Sequence, residues 1–240
     1  IVPGGRVGVA RFPADAQTAS ELLEAAQTAR MGIPATGEQV AIFTPEARAA
    51  ALRKLAVESG LRHAAERGEL GLSYQLQADL TTGEIAGAQV IMNWTSQTLG
   101  SVPGHEFLPI AMQTGLIVML GDWKREAVCQ QLRAWEQVGV RVPRLSMRIS
   151  QLELQQPDMV DKLRQSLLAN GLQAQALGIE ISEQALFNAS PELVKTLNQL
   201  RGLGLEISLG DFGAGATNLG LLRTLPVDVI KVHRSCVPDV

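Results

Sequence analysis

Hydrophobic and polar positions divide the chain into an irregular beginning and a long, regular remainder. Residues 6–12 alternate apolar and polar side chains, the period of a half-buried strand, and Pro13 ends the run. Thr18 through Glu21 form a capping box, and Leu22, Leu23, Ala26 and Ala29 predict one apolar helix face. Residues 31–37 break that helix, and 39–43 predict a short strand. Together they make a strand–helix–strand piece too small to fold alone. Thr44, Pro45 and Glu46 then open a second helix: a capping threonine, a proline at the first helical position and an acid in the first turn. It is alanine-rich and charged, with a possible break near Gly60, and reads as a connector over residues 44–69. Its apolar face would also serve a dimer.

From residue 70 onward the pattern changes. LSYQLQADL, AGAQVIMNW, RLSMRIS, LGIEISE, LEISLGDFG and VDVIKVH predict six strands. Helical patterns cover 121–139, 157–171 and 190–204 between later strands. Such repetition, with apolar strands, predicts a parallel sheet covered by helices, either doubly wound or a barrel. No glycine-rich phosphate loop follows a strand, which weakens the nucleotide-binding open sheets. Polar residues gather at strand ends instead: Glu180 and Glu183, Asp211, then Lys231 and His233. Chemistry in a barrel is assembled at that end, so a barrel is the expected architecture.

Composition narrows the function classes. The chain has 240 residues, 46% hydrophobic and 19% charged, enough for one large domain or a domain and a half. A net charge of −3, without a basic stripe, gives no electrostatic reason to expect a nucleic acid polymer. Cys129 and Cys236 lack metal-like spacing and read as reduced thiols of a cytoplasmic protein. His63, His105 and His233 form no zinc pattern. No apolar run reaches the roughly 18 residues of a membrane helix; 116–120, the longest, reads as a buried strand or helix segment. The first residues resemble the middle of a domain rather than a signal peptide, so the chain is expected to begin inside a longer protein.

The order and spacing of several blocks resemble the EAL family, the bacterial cyclic-di-GMP phosphodiesterase domains. These blocks are LSYQLQADLTTGEIAGAQ, PGHEFLPIAMQTGLI, WKREAVCQQLRAW, GIEISEQAL, LGDFGAGATNL and LPVDVIKVHRS. The resemblance implies an α/β fold, a TIM-like (β/α) barrel over residues 70–240. The family's last two barrel strands would follow Val240, so the barrel is expected to be incomplete at the C-terminus. Residues 1–43 resemble the tail of a GGDEF domain, and 44–69 the usual linker.

The resemblance also implies a chemistry and lets it be checked residue by residue. In the family, carboxylates and an asparagine hold two divalent ions that activate water, and a lysine helps position that water. Here the motif glutamate falls at Gln89, and the phosphate-binding arginine that follows falls at Asn93. The asparagine of the third strand is replaced by Arg148. The paired aspartates are reduced to Gly210 and Asp211, the aspartate after the lysine is His233, and a loop tyrosine is Ala216. Gln75, Glu180, Asp211 and Lys231 remain. Two carboxylates beside a new cation predict no metal site and no catalytic residue. The chain is then expected to be an inactive, metal-independent cyclic-di-GMP receptor. Its ligand-binding set would be Gln75, Gln89, Ile91, Asn93, Arg148, Glu180, Asp211, Phe212 and Lys231, with Glu180 and Asp211 able to pair with Arg148. A scaffold that binds no nucleotide and a weak phosphodiesterase are the alternatives. Among degenerate tandem proteins, the FimX type is the most similar. It implies a PilZ-family partner and a role in type IV pilus assembly and twitching motility.

Overall fold

The computed structural model describes residues 5–33, 39–186, 190–214, 222–223 and 225–237. They fall into two compact units, Ile1–Arg62 and His63–Val240.

In the first unit, β1 (Val7–Val9) pairs in parallel with β2 (Val40–Ile42), and α1 (Ala19–Met31) lies between them in sequence. The capping box forms as its residues predict: the Glu21 amide donates to Thr18 Oγ1 at 3.3 Å, and the Thr18 amide to Glu21 Oε2 at 3.1 Å. The buried stripe of α1 is narrower than expected. Ala25 and Ala29 pack with Phe43, whereas Leu23 is 63% exposed. Two short strands cover only a thin strip of a helix, and the four-residue step from Ala25 to Ala29 follows that strip. The helix α2 (Pro45–Leu61) starts on the Thr44 cap, whose Oγ1 accepts the Ala47 amide at 3.1 Å. It ends at Leu61, short of the expected residue 69.

In the second unit, β3 (Leu70–Ala78) and β4 (Ile85–Ser96) form an antiparallel pair, a departure from the all-parallel expectation. Their connection is too short for a crossover helix. Asp79 closes it, with Oδ1 accepting the amides of Thr81 and Thr82 at 2.8 and 2.9 Å. β5 (Gly100–Val102) folds back onto β4. Helix α3 (Gly104–Thr114), unmarked in the pattern, follows, and α4 (Leu116–Gln137), expected from residue 121, begins five residues earlier; the two meet at Gly115. The apolar run at 116–120 is therefore the first turn of a helix.

The remaining elements alternate: β6 (Leu145–Arg148), α5 (Gln151–Leu154), α6 (Met159–Asn170), β7 (Leu177–Ser182), α7 (Glu183–Leu186), α8 (Pro191–Gly202), β8 (Glu206–Phe212) and β9 (Val229–Val232). The sheet runs β3-β4-β6-β7-β8-β9, parallel from β4 onward. This mixed sheet with its helices is the α/β fold of a TIM-like barrel. Strand β7 is buried from Leu177 through Ile181, as a central parallel strand must be. Leu145, Met147, Ile179, Ile207 and Leu209 join Val128, Leu163 and Leu197 from the helices in one core. Among the described residues no helix is long and apolar enough to cross a membrane.

Candidate active site at the strand ends

Parallel register brings the charged residues together. Arg148, the last residue of β6, lies opposite Glu180 of β7, and Glu180 lies opposite Ser208 of β8. Glu180 interrupts an otherwise apolar buried strand, and its side chain is 3% exposed. A carboxylate so placed needs cationic partners. It has two: Arg148 Nε donates to Oε1 at 3.1 Å, and Lys231 Nζ, from β9, donates to Oε2 at 2.5 Å. Arg148 Nη2 also reaches Asp211 Oδ2 at 2.6 Å, so the guanidinium bridges the two carboxylates. Burial weighs against the charge of Arg148, but Glu180 and Asp211 beside it more than offset this and hold its pKa above the usual arginine value.

The end of β8 is shaped for this arrangement. A Cβ on Gly210 would lie 2.6 Å from Glu180 Oε1, so the carboxylate occupies space that a side chain at 210 would need. Next to it, Asp211 takes a left-handed backbone with φ 58°, where the ladder to β9 shifts register. Such a conformation is uncommon for a residue with a side chain and clusters at functional sites. Beyond it, the Gly213 amide donates to Glu183 Oε2 at 3.1 Å, tying the turn back to α7.

The other expected residues are divided. Lys231 Nζ also donates to Gln89 Oε1 at 3.4 Å, which brings Gln89 into the cluster. Gln75 lies directly opposite Gln89 on β3. Ile91 and Asn93 follow at two-residue steps on the same face of β4, both exposed. Asn93 is engaged elsewhere, donating from Nδ2 to Ser73 Oγ at 3.0 Å. Phe212 packs against the hydrophobic core. His233 Nδ1 accepts the Ser235 amide at 3.2 Å. Ala216 lies outside the described residues.

Sequence reasoning passed over one charged pair next to the cluster. Lys124 of α4 donates from Nζ to the main-chain oxygen of Arg148 at 2.5 Å and to Glu153 Oε1 at 3.3 Å. The spacing of Ser150 and Glu153, a capping box, was the available signal.

The family chemistry implies divalent metal, and the donor set can be tested for it. Among the described residues, no three His, Cys, Asp or Glu side chains gather at one point. Glu180 and Asp211 are both engaged by Arg148, and the Gln89 oxygen by Lys231. Arranged in this way these oxygens do not fit a divalent ion.

The model of the EAL domain matches residues 58–240. The bifunctional diguanylate cyclase/cyclic di-GMP phosphodiesterase MucR of Pseudomonas aeruginosa is 30% identical over 234 residues, covering 97% of this chain and 34% of MucR. The cyclic di-GMP phosphodiesterase NbdA of the same organism is 32% identical over 241 residues, covering all of this chain and 31% of NbdA. This chain thus spans about a third of the length of these relatives. Among solved structures, a MucR phosphodiesterase in complex with cyclic-di-GMP superposes with a TM-score of 0.70 at 31% identity, over 75% of this chain and 73% of that one. The Xanthomonas citri FimX EAL domain reaches the same TM-score at 21% identity, over 80% of this chain and 74% of that one, a likeness of fold alone.

These relatives overturn two expectations. The chain was expected to be an inactive receptor that works without metal, yet proteins similar along its whole length are named phosphodiesterases. The altered strand-end residues, taken together, led to that expectation, whereas the likeness to named phosphodiesterases runs the length of the chain. The carboxylates' pairing with Arg148 describes their arrangement; it is no evidence of metal-independent function. The match over residues 58–240 places the chain in the EAL domain family.

Proposed function

We propose that this chain binds cyclic-di-GMP at the strand ends and acts on one of its phosphodiester bonds, as the phosphodiesterase module of a larger signalling protein. The observation that carries this reading is the Glu180 cluster. Two cations, Arg148 and Lys231, flank one buried carboxylate where barrel enzymes assemble their chemistry. The ligand presents two phosphodiester anions. Arg148, 49% exposed, keeps N–H groups beyond those it gives to Glu180 and Asp211. A guanidinium so placed matches phosphate oxygens in pairs. Charge building on those oxygens during hydrolysis would meet the same guanidinium and the Lys231 ammonium. Gln75, Gln89 and Asn93 offer amide donors and acceptors to the base and ribose edges, and exposed Ile91 offers apolar contact. Phe212 supports the turn from the core side.

The test follows linear dinucleotide by chromatography with magnesium or manganese present, alongside calorimetric titration of cyclic-di-GMP. Linear product together with saturable binding is expected. Neither product nor binding would sink the reading.

The first unit fits the same proposal as the tail of a GGDEF domain. Its parallel β1–β2 pair with α1 between them supports this, as does the span of the match to a bifunctional cyclase and phosphodiesterase. A cytoplasmic setting belongs to the proposal too. A PilZ-family protein and a second copy of the chain are the partners the resemblance supplies, and co-elution on size exclusion tests each.

A further inference from the structure

Helix α4 carries a cation on its buried stripe. Ile117, Leu120, Gly121, Lys124, Val128 and Leu132 recur at helical spacing and all are buried, so Lys124 stands where the pattern asks for an apolar residue. An ammonium in that place is costly unless its donors are satisfied. Lys124 Nζ gives one hydrogen bond to the main-chain oxygen of Arg148 and one to Glu153 Oε1. Glu153 is buried as well, and its second oxygen accepts the Ser150 amide at 2.7 Å. A Cβ on Gly121 would collide with Glu153 Oε1, so α4 leaves room for this carboxylate where a side chain would stand.

The consequence falls on Arg148. Its carbonyl is held from the helix side by Lys124, and the next amide, Ile149 N, donates to the Glu180 main-chain oxygen at 2.8 Å. The one peptide group that follows its Cα is thereby pinned twice, its oxygen by a buried ion pair outside the sheet and its N–H by the neighbouring strand. The side chain leaves this fixed point to reach Glu180 and Asp211. We infer that Lys124 and Glu153 are positioning residues, a buried ion pair behind the sheet that sets where the Arg148 guanidinium stands in the ligand site. This rests on the proposed reading of the Arg148–Glu180–Asp211 cluster as that site.

The test separates positioning from mere support. In Lys124→Met, both thermal stability and protection of the Arg148 Nε proton, followed by nitrogen-resolved NMR at low temperature, should fall. Lys124→Met/Glu153→Gln leaves no unpaired buried charge, so stability should return towards wild type. The Arg148 proton should still exchange at least about tenfold faster than in wild type, because nothing holds the Arg148 carbonyl. Wild-type protection in a folded double variant would overturn the inference. A cross-hydrogen-bond coupling from Lys124 Nζ to the Arg148 carbonyl carbon is expected in unmodified protein, and its absence would overturn the inference even if neither variant folds. Cyclic-di-GMP titration of wild type is the separate arm. Failure to bind removes the site reading, while the Arg148 proton still decides whether the clamp positions it.

Discussion

The molecule holds two cation–carboxylate groups on either side of one peptide, and they differ in access to water. Lys124 and Glu153 are closed off behind the sheet, with side chains 9% and 6% exposed. Arg148 and Asp211, at the strand ends, are nearly half exposed, and only Glu180 among them is buried. A closed pair cannot rearrange without stranding a charge, so it can only hold a structure in place. The open pair of Arg148 and Asp211 can exchange the carboxylate for a ligand oxygen at small cost, because water screens whichever of the two is left. The same chemistry thus serves as a fixture in one place and as a receptive surface in the other.

Substitutions can break that contrast. The largest effect is expected from Lys124→Met, which leaves Glu153 charged and buried and should cost ~3–5 kcal/mol of stability by denaturant titration. The matching change at the open site, Arg148→Met, should stay within ~1 kcal/mol in the same titration, apart from the buried oxygen of Glu180 that Lys231 still serves. A comparable loss from both would erase the distinction.

Ligand affinity should reverse the ranking. Removing a charged hydrogen-bonding group from phosphate is worth ~1.5–3 kcal/mol, so Arg148→Ala should weaken cyclic-di-GMP binding about ten- to hundredfold by calorimetry. Unchanged affinity would remove Arg148 from the ligand site. Gly210→Ala sharpens the comparison further. Its methyl group must displace the Glu180 carboxylate, and overpacking of this kind costs ~1–3 kcal/mol. The smallest effect concerns the thiols. Burial, with Glu126 beside it, pushes the Cys129 thiol up to about 12, whereas Cys236 is exposed. Iodoacetamide at mildly alkaline pH should therefore label Cys236 alone, read by mass spectrometry.

Legibility from sequence followed the range of the interaction. The caps at Thr18 and Thr44 were readable because they join residues three positions apart. Strands β6, β7 and β8 were readable because Leu145 and Met147, Leu177, Ile179 and Ile181, and Ile207 and Leu209 recur at two-residue steps. The antiparallel β3–β4 pair was not, because period alone carries no direction. The pairing of Arg148 with Glu180 and Asp211 could be foreseen as a possibility, since all three fall at strand ends. Lys124 was overlooked because a lysine in a charged stretch of helix looks solvated until the buried face of that helix is known.

The amino-acid sequence by itself determined the alternation of strands and helices, the polar residues at strand ends and the neutral amides at Gln89 and Asn93. Local periodicity and residue chemistry suffice for these. Only the tertiary structure decided that Arg148 bridges Glu180 and Asp211, that Lys231 shares Glu180, and that Lys124 reaches through to the Arg148 carbonyl. These contacts join residues 24 to 63 positions apart. Parallel register and the packing of α4 on the sheet bring them within reach, and neither is written in any short stretch of chain.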